Sequence, residues 1–434
     1  MTRLLIKGGT VVSSRGDEPA DVLIEGGTIQ RVAAGIADEA AEILDARGLH
    51  LLPGVLDSHV HFRDPGLTHK EDLASGSRAC AAGGVTSFFD MPNTRPAATT
   101  RALIAEKKAL AAEKSLVNYN FFIGAARDNP GELNAAENLP GIKVFLGSST
   151  GSLLVDDDAL LEGIFSNGSR LIAVHAEDEA VMREAASRVR SPTVGDHPRI
   201  RPVEAALSAT RRAVALAERH RRRLHVLHIS TAEETALLAE HRGPLVSAEA
   251  TPHHLLLSGP EAYERLGTLA QVNPPIREAR HGQALWKALS AGIIQCVGTD
   301  HAPHTLEEKR RPYPESPSGV PGVETALPLM LDQAARGRCS VSQVAAWMSE
   351  NPARLFGAAG KGRIEPGMDA DLVLVDLKKM KRVGEGGYQT KCGWSPYDGM
   401  RLTGWPVATI VGGRVVWREG TFDLTVRGTE IKIN

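Results

Sequence analysis

The sequence predicts an α/β protein, a (β/α)8 barrel of the TIM type carrying a small β-sandwich domain built from both chain ends. Three observations lead there. Eight apolar, strand-like runs recur through the middle of the 434-residue chain. Helix-like stretches separate most of them, the pattern of parallel strands joined by crossovers. Both ends of the chain lack that rhythm and read as short strands broken by glycine turns. Residues 1–53 and 356–434 are therefore assigned to the sandwich, and residues 54–355 to the barrel.

In chain order, RLLIKGGTVV, ADVLIEGGTIQRV and AEILDARGLHLLPG are apolar or alternating runs with GG or RG at the breaks. The barrel runs follow: LLPGVLDSHVHF, VTSFFDMPN, NYNFFIGAA, GIKVFLG, LIAVHAE, RLHVLHIS, LVSAEATPHHL and IIQCVGTDHAPH. HKEDLASGSRACAAGG, TRALIAEKKALAAEK and VEAALSATRRAVALAERH are helix-like segments between them. DADLVLVDL, VATIVGGRVVWREG and TVRGTEIKI return to strand character. A doubly wound open sheet is the alternative, but no GxGxxG follows the first strand, so a dinucleotide fold has little support.

The charge balance, 50 Lys and Arg against 52 Asp and Glu, argues against nucleic acid or an anionic membrane as a main partner. The basic run Arg219–His220–Arg221–Arg222–Arg223 reads as a solvated helix end. Cys80, Cys296, Cys339 and Cys392 are far apart and form no CxxC pair, which points to a reducing cytoplasm. The N-terminal segment lacks the apolar run of a signal peptide. No segment approaches the roughly 18 apolar residues of a membrane span. A soluble, cytoplasmic protein is the expectation.

Chemistry in a (β/α)8 barrel sits at the C-terminal ends of the strands. His59 and His61 end the first run, Asn93 the second, His175 the fifth, His228 the sixth and Asp300 the eighth, while Lys143 lies within GIKVFLG. Two residues apart on a strand, His59 and His61 share a face, as a metal needs. An HxH pair alone is weak; with His175, His228 and Asp300, ligands exist for one or two divalent ions, zinc foremost. Lys143 beside such ions would be repelled as an ammonium. It either snorkels to solvent, pairs with a carboxylate, or is carboxylated into an anion. Arg63 shares the histidines' face if the strand continues that far, and its fork suits a carboxylate; a surface pair with Asp64 or Glu71 is the plainer alternative. Asn273 and His304 follow the seventh and eighth runs on the functional side. His253, His254 and His301 read as supporting residues. The proline-rich stretch 307–324 is long for a compact domain and could cover the site, or be a plain surface excursion.

Taken together, DSHVHFRDPG, AAGGVTSFFDMPNTRPA, GIKVFLGSSTG, VHAED, LHVLHIS, EATPHHL, QVNPPIR, GTDHAPH and SGVPGVETALPL resemble the dihydroorotase branch of the amidohydrolase superfamily. KCGWSPYDGMRLTGWPVATIVGGRVVW extends the likeness into the terminal β-domain. The resemblance implies reversible, metal-dependent cyclisation of N-carbamoyl-L-aspartate to L-dihydroorotate, an early step of pyrimidine synthesis. It implies two zinc ions per chain: one on His59, His61 and Asp300, the other on His175 and His228, with carboxylated Lys143 bridging them. Asp300 would also carry the proton. Arg63, Asn93, Asn273 and His304 would hold the substrate, Arg63 and Asn93 on its carboxylate, with backbone groups near Ser318 and Gly319 closing over it. Small molecules are then the partners, and a homodimer stays open. Many bacterial members carry an aspartate-rich segment where GIKVFLGSST stands, so this chain follows the lysine-bearing branch. Ser318 stands where part of the family has phenylalanine. Hydantoinases and allantoinases share the metal ligands and are the nearest rivals, but allantoin and unsubstituted hydantoins lack the carboxylate that Arg63 suits. A non-catalytic barrel kept as a scaffold is a rival of another class; it would be expected to have lost ligands that are all present here.

Overall fold

The computed structural model describes residues 3–148 and 153–434. The end of the GIKVFLGSSTG motif, residues 149–151, lies outside them. Each apolar run of the middle segment forms a parallel strand. They are β1 (Val55–Val60), β2 (Val85–Asp90), β3 (Asn118–Phe121, resuming at Ile123–Gly124), β4 (Ile142–Phe145), β5 (Ile172–His175), β6 (Leu224–Val226), β7 (Val246–Ala250) and β8 (Cys296–Val297). All are buried along their length, because helices cover the outer face and side chains fill the interior. The ring closes just past β8, where His61 N–H donates to His301 O at 2.8 Å and Val60 bridges His301 in parallel. The fold is thus a mixed α/β barrel with a terminal β-sandwich.

The helices begin where the sequence provides caps. Asp72 accepts from Ser75 N–H at 2.8 Å to start Leu73–Ala82, and Thr231 with Glu234 forms a reciprocal box ahead of Ala232–Glu240. The helix Val203–Arg219 buries Ala205, Ala209, Ala213 and Ala217, a small-residue stripe at a spacing of four that lets it lie close to the barrel wall.

The basic run after that helix is solvated at Arg219, Arg221 and Arg223 but not throughout. Arg219 does pair with Glu162 at 3.0 Å, but Arg222 is buried, and its Nη1 donates to Asn167 O at 2.7 Å. Asn167 terminates the helix Asp158–Ser166, so the guanidinium satisfies a carbonyl that the helix leaves open. Burial and the neighbouring Arg170 push Arg222 down to about 10.

Among the described residues the terminal sheet has nine strands drawn from both ends of the chain. His50–Pro53 joins the halves: it pairs in parallel with Arg3–Ser13 and antiparallel with Leu372–Arg382. Leu4, Ile6, Val22, Ile24, Leu51, Leu372, Leu374 and Ile410 close a separate core inside it. The last residues leave the sheet and run onto the barrel. There Ile431 N–H donates to Tyr119 O at 2.9 Å, and Asn120 Nδ2 donates to Ile431 O at 2.8 Å. The four cysteines are free. Among the described residues, no helix is long and apolar enough to cross a membrane.

Gly428 permits the return of the chain to β3. Its N–H donates to Ser115 O at 2.9 Å, and a Cβ there would overlap the Val117 carbonyl. Gly428→Ala should therefore destabilise the protein by about 1–3 kcal/mol, the usual cost of forcing atoms into a packed site; urea unfolding with an unchanged m-value would measure it.

Candidate metal centre and substrate site

The strand ends bring the polar residues to one face of the barrel. His59, His61, Lys143, His175, His228, Asn273, Asp300, Ser318 and Gly319 border a common cavity of about 20 Å³, with Phe145 and Ala302. Such a space is on the scale of one water molecule. Arg63, Asn93 and His304 stand behind its wall: Asn93 bonds His61, His304 bonds Ser318 O, and Arg63 lies 3.3 Å from His304.

Two sets of ligand atoms face each other. His59 Nε2 and His61 Nε2 lie 3.2 and 3.0 Å from Asp300 Oδ1. His175 Nδ1 lies 3.0 Å from His228 Nε2. His59, His228 and Asp300 also offer ligand atoms that all lie within 4.8 Å of one another. His59 Nδ1 lies 2.6 Å from Glu249 Oε1. A carboxylate only accepts, so Nδ1 carries a proton, and as a neutral ring, the form that binds a metal, His59 would present the Nε2 lone pair to Asp300. A lone pair aimed at an anionic oxygen is repulsive unless a cation sits between them. His228 Nδ1 is buried with no partner among the described residues, and His175 Nε2 lies 3.1 Å from Glu177 without the alignment of a hydrogen bond. The donor set of imidazole nitrogens and a carboxylate fits a divalent ion of the zinc kind.

The charges are tuned by burial and neighbours. Burial opposes the charge of Asp300, but His59, His61 and His228 outweigh it and hold the carboxyl well below the usual range. Burial pushes His61 down to about 3, so it presents a neutral ring. Glu249 is also held low: burial raises it, and His59 and His225 more than offset that. Lys143 neither reaches solvent nor forms an ion pair among the described residues. It is 1% exposed, its Nζ sits 4.6 Å above the Phe145 ring, and burial brings it down to about 7.

Arg63 departs from its expected position. β1 stops at Val60, and Arg63 has φ 62, so it does not continue the histidine face. The left-handed turn sends the side chain inward, where it is 2% exposed and its Nε donates to Pro303 O at 3.3 Å. It pairs with neither Asp64, which is held by Lys114 at 2.9 Å, nor Glu71, which accepts from Lys391 N–H at 3.2 Å. Among the described residues no carboxylate lies within ion-pair distance of Arg63. Burial lowers it to about 10, still fully charged at neutral pH. His228 and Asp300 share its unusual backbone, with φ 36 and 47.

Asn93 places its Oδ1 2.6 Å from His61 Nδ1 and so steadies that ring. Asn273 Oδ1 lies 3.0 Å from His197 Nε2. Gly319 has φ 137, and a Cβ there would meet Ala302 O at 2.5 Å, so only glycine lets this segment lie on the barrel mouth. Val320 bridges His301, which seats the end of the 307–324 stretch directly on the barrel rather than out in solvent. His301 Nδ1 accepts from Gly322 N–H at 3.0 Å, and His254 Nε2 lies 2.9 Å from Pro274 O, both supporting positions.

Sequence reasoning missed three residues. Glu249 receives His59 and also accepts from Ser58 Oγ at 3.0 Å; Glu177 stands between His175 and Arg201; Lys70 reaches His304. A charged residue inside the buried strand of LVSAEATPHHL was the available signal for Glu249. Asp57, from the same DSHVH motif, accepts from Thr299 N–H at 3.0 Å and ties β1 to the loop that carries Asp300.

The amidohydrolase family model matches residues 50–416. A dihydroorotase of Methanosarcina acetivorans is 35% identical over 98% of this chain and 94% of its own length. A dihydroorotase of Halobacterium salinarum is 39% identical over 92% of this chain and 93% of its own. An allantoinase of Rubrobacter xylanophilus is 37% identical over 96% of this chain and 94% of its own. Among solved structures, L-hydantoinase from Arthrobacter aurescens superposes with a TM-score of 0.94 at 31% identity, covering 100% of both chains. With a matched barrel, a matched terminal sheet and ligand atoms converging at the strand ends, the chain belongs to the amidohydrolase family.

Proposed function

We propose that this protein is a dihydroorotase, interconverting N-carbamoyl-L-aspartate and L-dihydroorotate in the cytoplasm as part of pyrimidine synthesis. The observation that carries the substrate is Arg63, a buried guanidinium beside the metal-type cluster with no carboxylate partner among the described residues. A buried charge without a counter-ion is costly, and a substrate carboxylate would supply one. Relatives named dihydroorotase, 31–39% identical over nearly the whole chain, support this reading over allantoinase. Allantoinase or hydantoinase activity is the second reading, favoured by the allantoinase relatives and by the hydantoinase fold match.

His59, His61 and Asp300 would hold one divalent ion and His175 and His228 a second, zinc being the ion the donor set suits, with Lys143, as a carbamate, an added ligand. Bound divalent ions supply Lewis acidity toward the ring carbonyl and acidify water at the site. The near-neutral pKa of Lys143 leaves much of its amine unprotonated, the form that adds CO₂. Arg63 holds the ring by its carboxylate, which turns binding energy into orientation. Asp300 takes the proton of the attacking water and delivers it to the leaving ring nitrogen; cyclisation runs the same transfers backwards.

The reading is tested by assaying the zinc-loaded protein side by side on dihydroorotate, carbamoyl-aspartate, hydantoin and allantoin. Preference for the first two is expected, and Arg63→Met should cost about 2–3 kcal/mol in kcat/KM for dihydroorotate, the loss of a charge-assisted contact; preference for hydantoin or allantoin overturns it. Asp300→Asn should retain much of the metal while kcat falls by about 10²–10⁴, the range for a lost proton carrier. Lys143→Ala should lose activity and one metal, with partial recovery on adding a short carboxylic acid; full metal content and full activity in that variant would refute the carbamate.

A further inference from the structure

We infer that Lys70 is a positioning residue that fixes His304 as an Nε2–H donor beside Arg63, where the dihydroorotase reading puts the substrate carboxylate. The inference rests on the dihydroorotase reading and goes beyond the residues that the resemblance implies.

The geometry is as follows. Lys70 Nζ lies 3.0 Å from His304 Nδ1 and 3.0 Å from Glu308 Oε1. The carboxylate keeps Lys70 an ammonium, which has donors and no acceptor. His304 Nδ1 must therefore accept. Glu308 Oε2 is the other group near Nδ1, at 3.8 Å, too far for a hydrogen bond. A neutral ring that accepts at Nδ1 carries its proton at Nε2. Nε2 then donates to Ser318 O at 3.0 Å.

Arg63 Nη2 lies 3.3 Å from the same Nε2. With His304 in this tautomer both groups are donors, so no hydrogen bond joins them. The Nε2–H of His304, held on Ser318 O, and the Nη2–H of Arg63 thus sit side by side with no carboxylate between them, and a substrate carboxylate that displaced Ser318 O would bridge both. In the other tautomer, Nε2 would accept from Arg63 and occupy one of its donors. Lys70 prevents this. It is also less enclosed than its neighbours, with 12% of its side chain exposed, so it acts on the site from the rim while Arg63 and His304 are buried.

The test uses the metal-replete enzyme with dihydroorotate. Lys70→Met keeps the stem and removes the donor. Its KM should rise by about tenfold or more while kcat stays within about threefold, and Lys70→Arg, again donor-only, should restore KM to within about threefold. An unchanged KM in Lys70→Met, or a fall in kcat alone, overturns the inference. If Lys70→Met does not fold, the nitrogen-15 ring signals of His304 in the wild type decide, assigned by their loss in His304→Asn: protonation at Nε2 is expected, and protonation at Nδ1 overturns. Absence of any wild-type turnover of dihydroorotate would instead defeat the dihydroorotase reading, leaving the ring signals to judge Lys70 separately.

Discussion

The site depends on one buried carboxylate. Glu249 sits inside the barrel on β7, fully buried, and receives His59 Nδ1 at 2.6 Å, Ser58 Oγ at 3.0 Å and His225 Nε2 at 3.3 Å. A charge in that position is tolerable only because each oxygen has donors. In return it decides which nitrogen of His59 faces Asp300, and it ties β1 to β6 and β7 through side chains rather than backbone. His225 is itself held by Ser247, at 2.9 Å, so the orientation of a cavity-facing imidazole is set three residues deep into the protein. Without Glu249 the His59 ring would lose the constraint that fixes its tautomer.

The same economy appears at the strand ends. Arg63, His228 and Asp300 all take left-handed backbone angles, which cost about 1–3 kcal/mol each in a non-glycine residue. Each follows a buried strand and redirects a side chain toward the barrel axis. The surrounding hydrogen bonds hold these conformations in place: Thr299 is clamped by Asp57 at 3.0 Å just before Asp300, and Leu67 N–H donates to Arg63 O at 3.0 Å. Local strain and site geometry are therefore one feature, with the strand supplying position and the turn supplying direction.

Much of this was legible in the sequence because barrels repeat. Eight apolar runs with polar residues at their ends predict both the architecture and the ring of histidines, and the glycine-broken ends predict the second sheet. What was not legible arises from contacts between segments far apart in the chain. Arg63 shares the histidine face only if the strand runs on, and nothing in HFRDPG announces the left-handed residue that turns it away. Glu249 lies 190 positions from the histidine it orients. Arg222 looked like part of a solvated basic run, and only the packing of one helix end against the next strand shows why a guanidinium is buried there. Lys70 belongs to a polar stretch, HKED, whose charge pattern gives no hint that one of its members reaches a strand-end imidazole.

The pairing of Leu372–Val375 with His50–Pro53 has a consequence for how the protein comes apart. The sheet grips the barrel segment at both its entry and its exit, so the barrel is a closed loop of chain and has no free end from which to fray. The first and last barrel strands can then separate only if the sheet lets go or the ring opens along its length. Closing a long loop has a modest entropic cost that grows slowly with its length, and here the sheet meets it once for the entire barrel. Slow hydrogen exchange should therefore extend across both units as one cooperative block rather than fading from the sheet into the barrel.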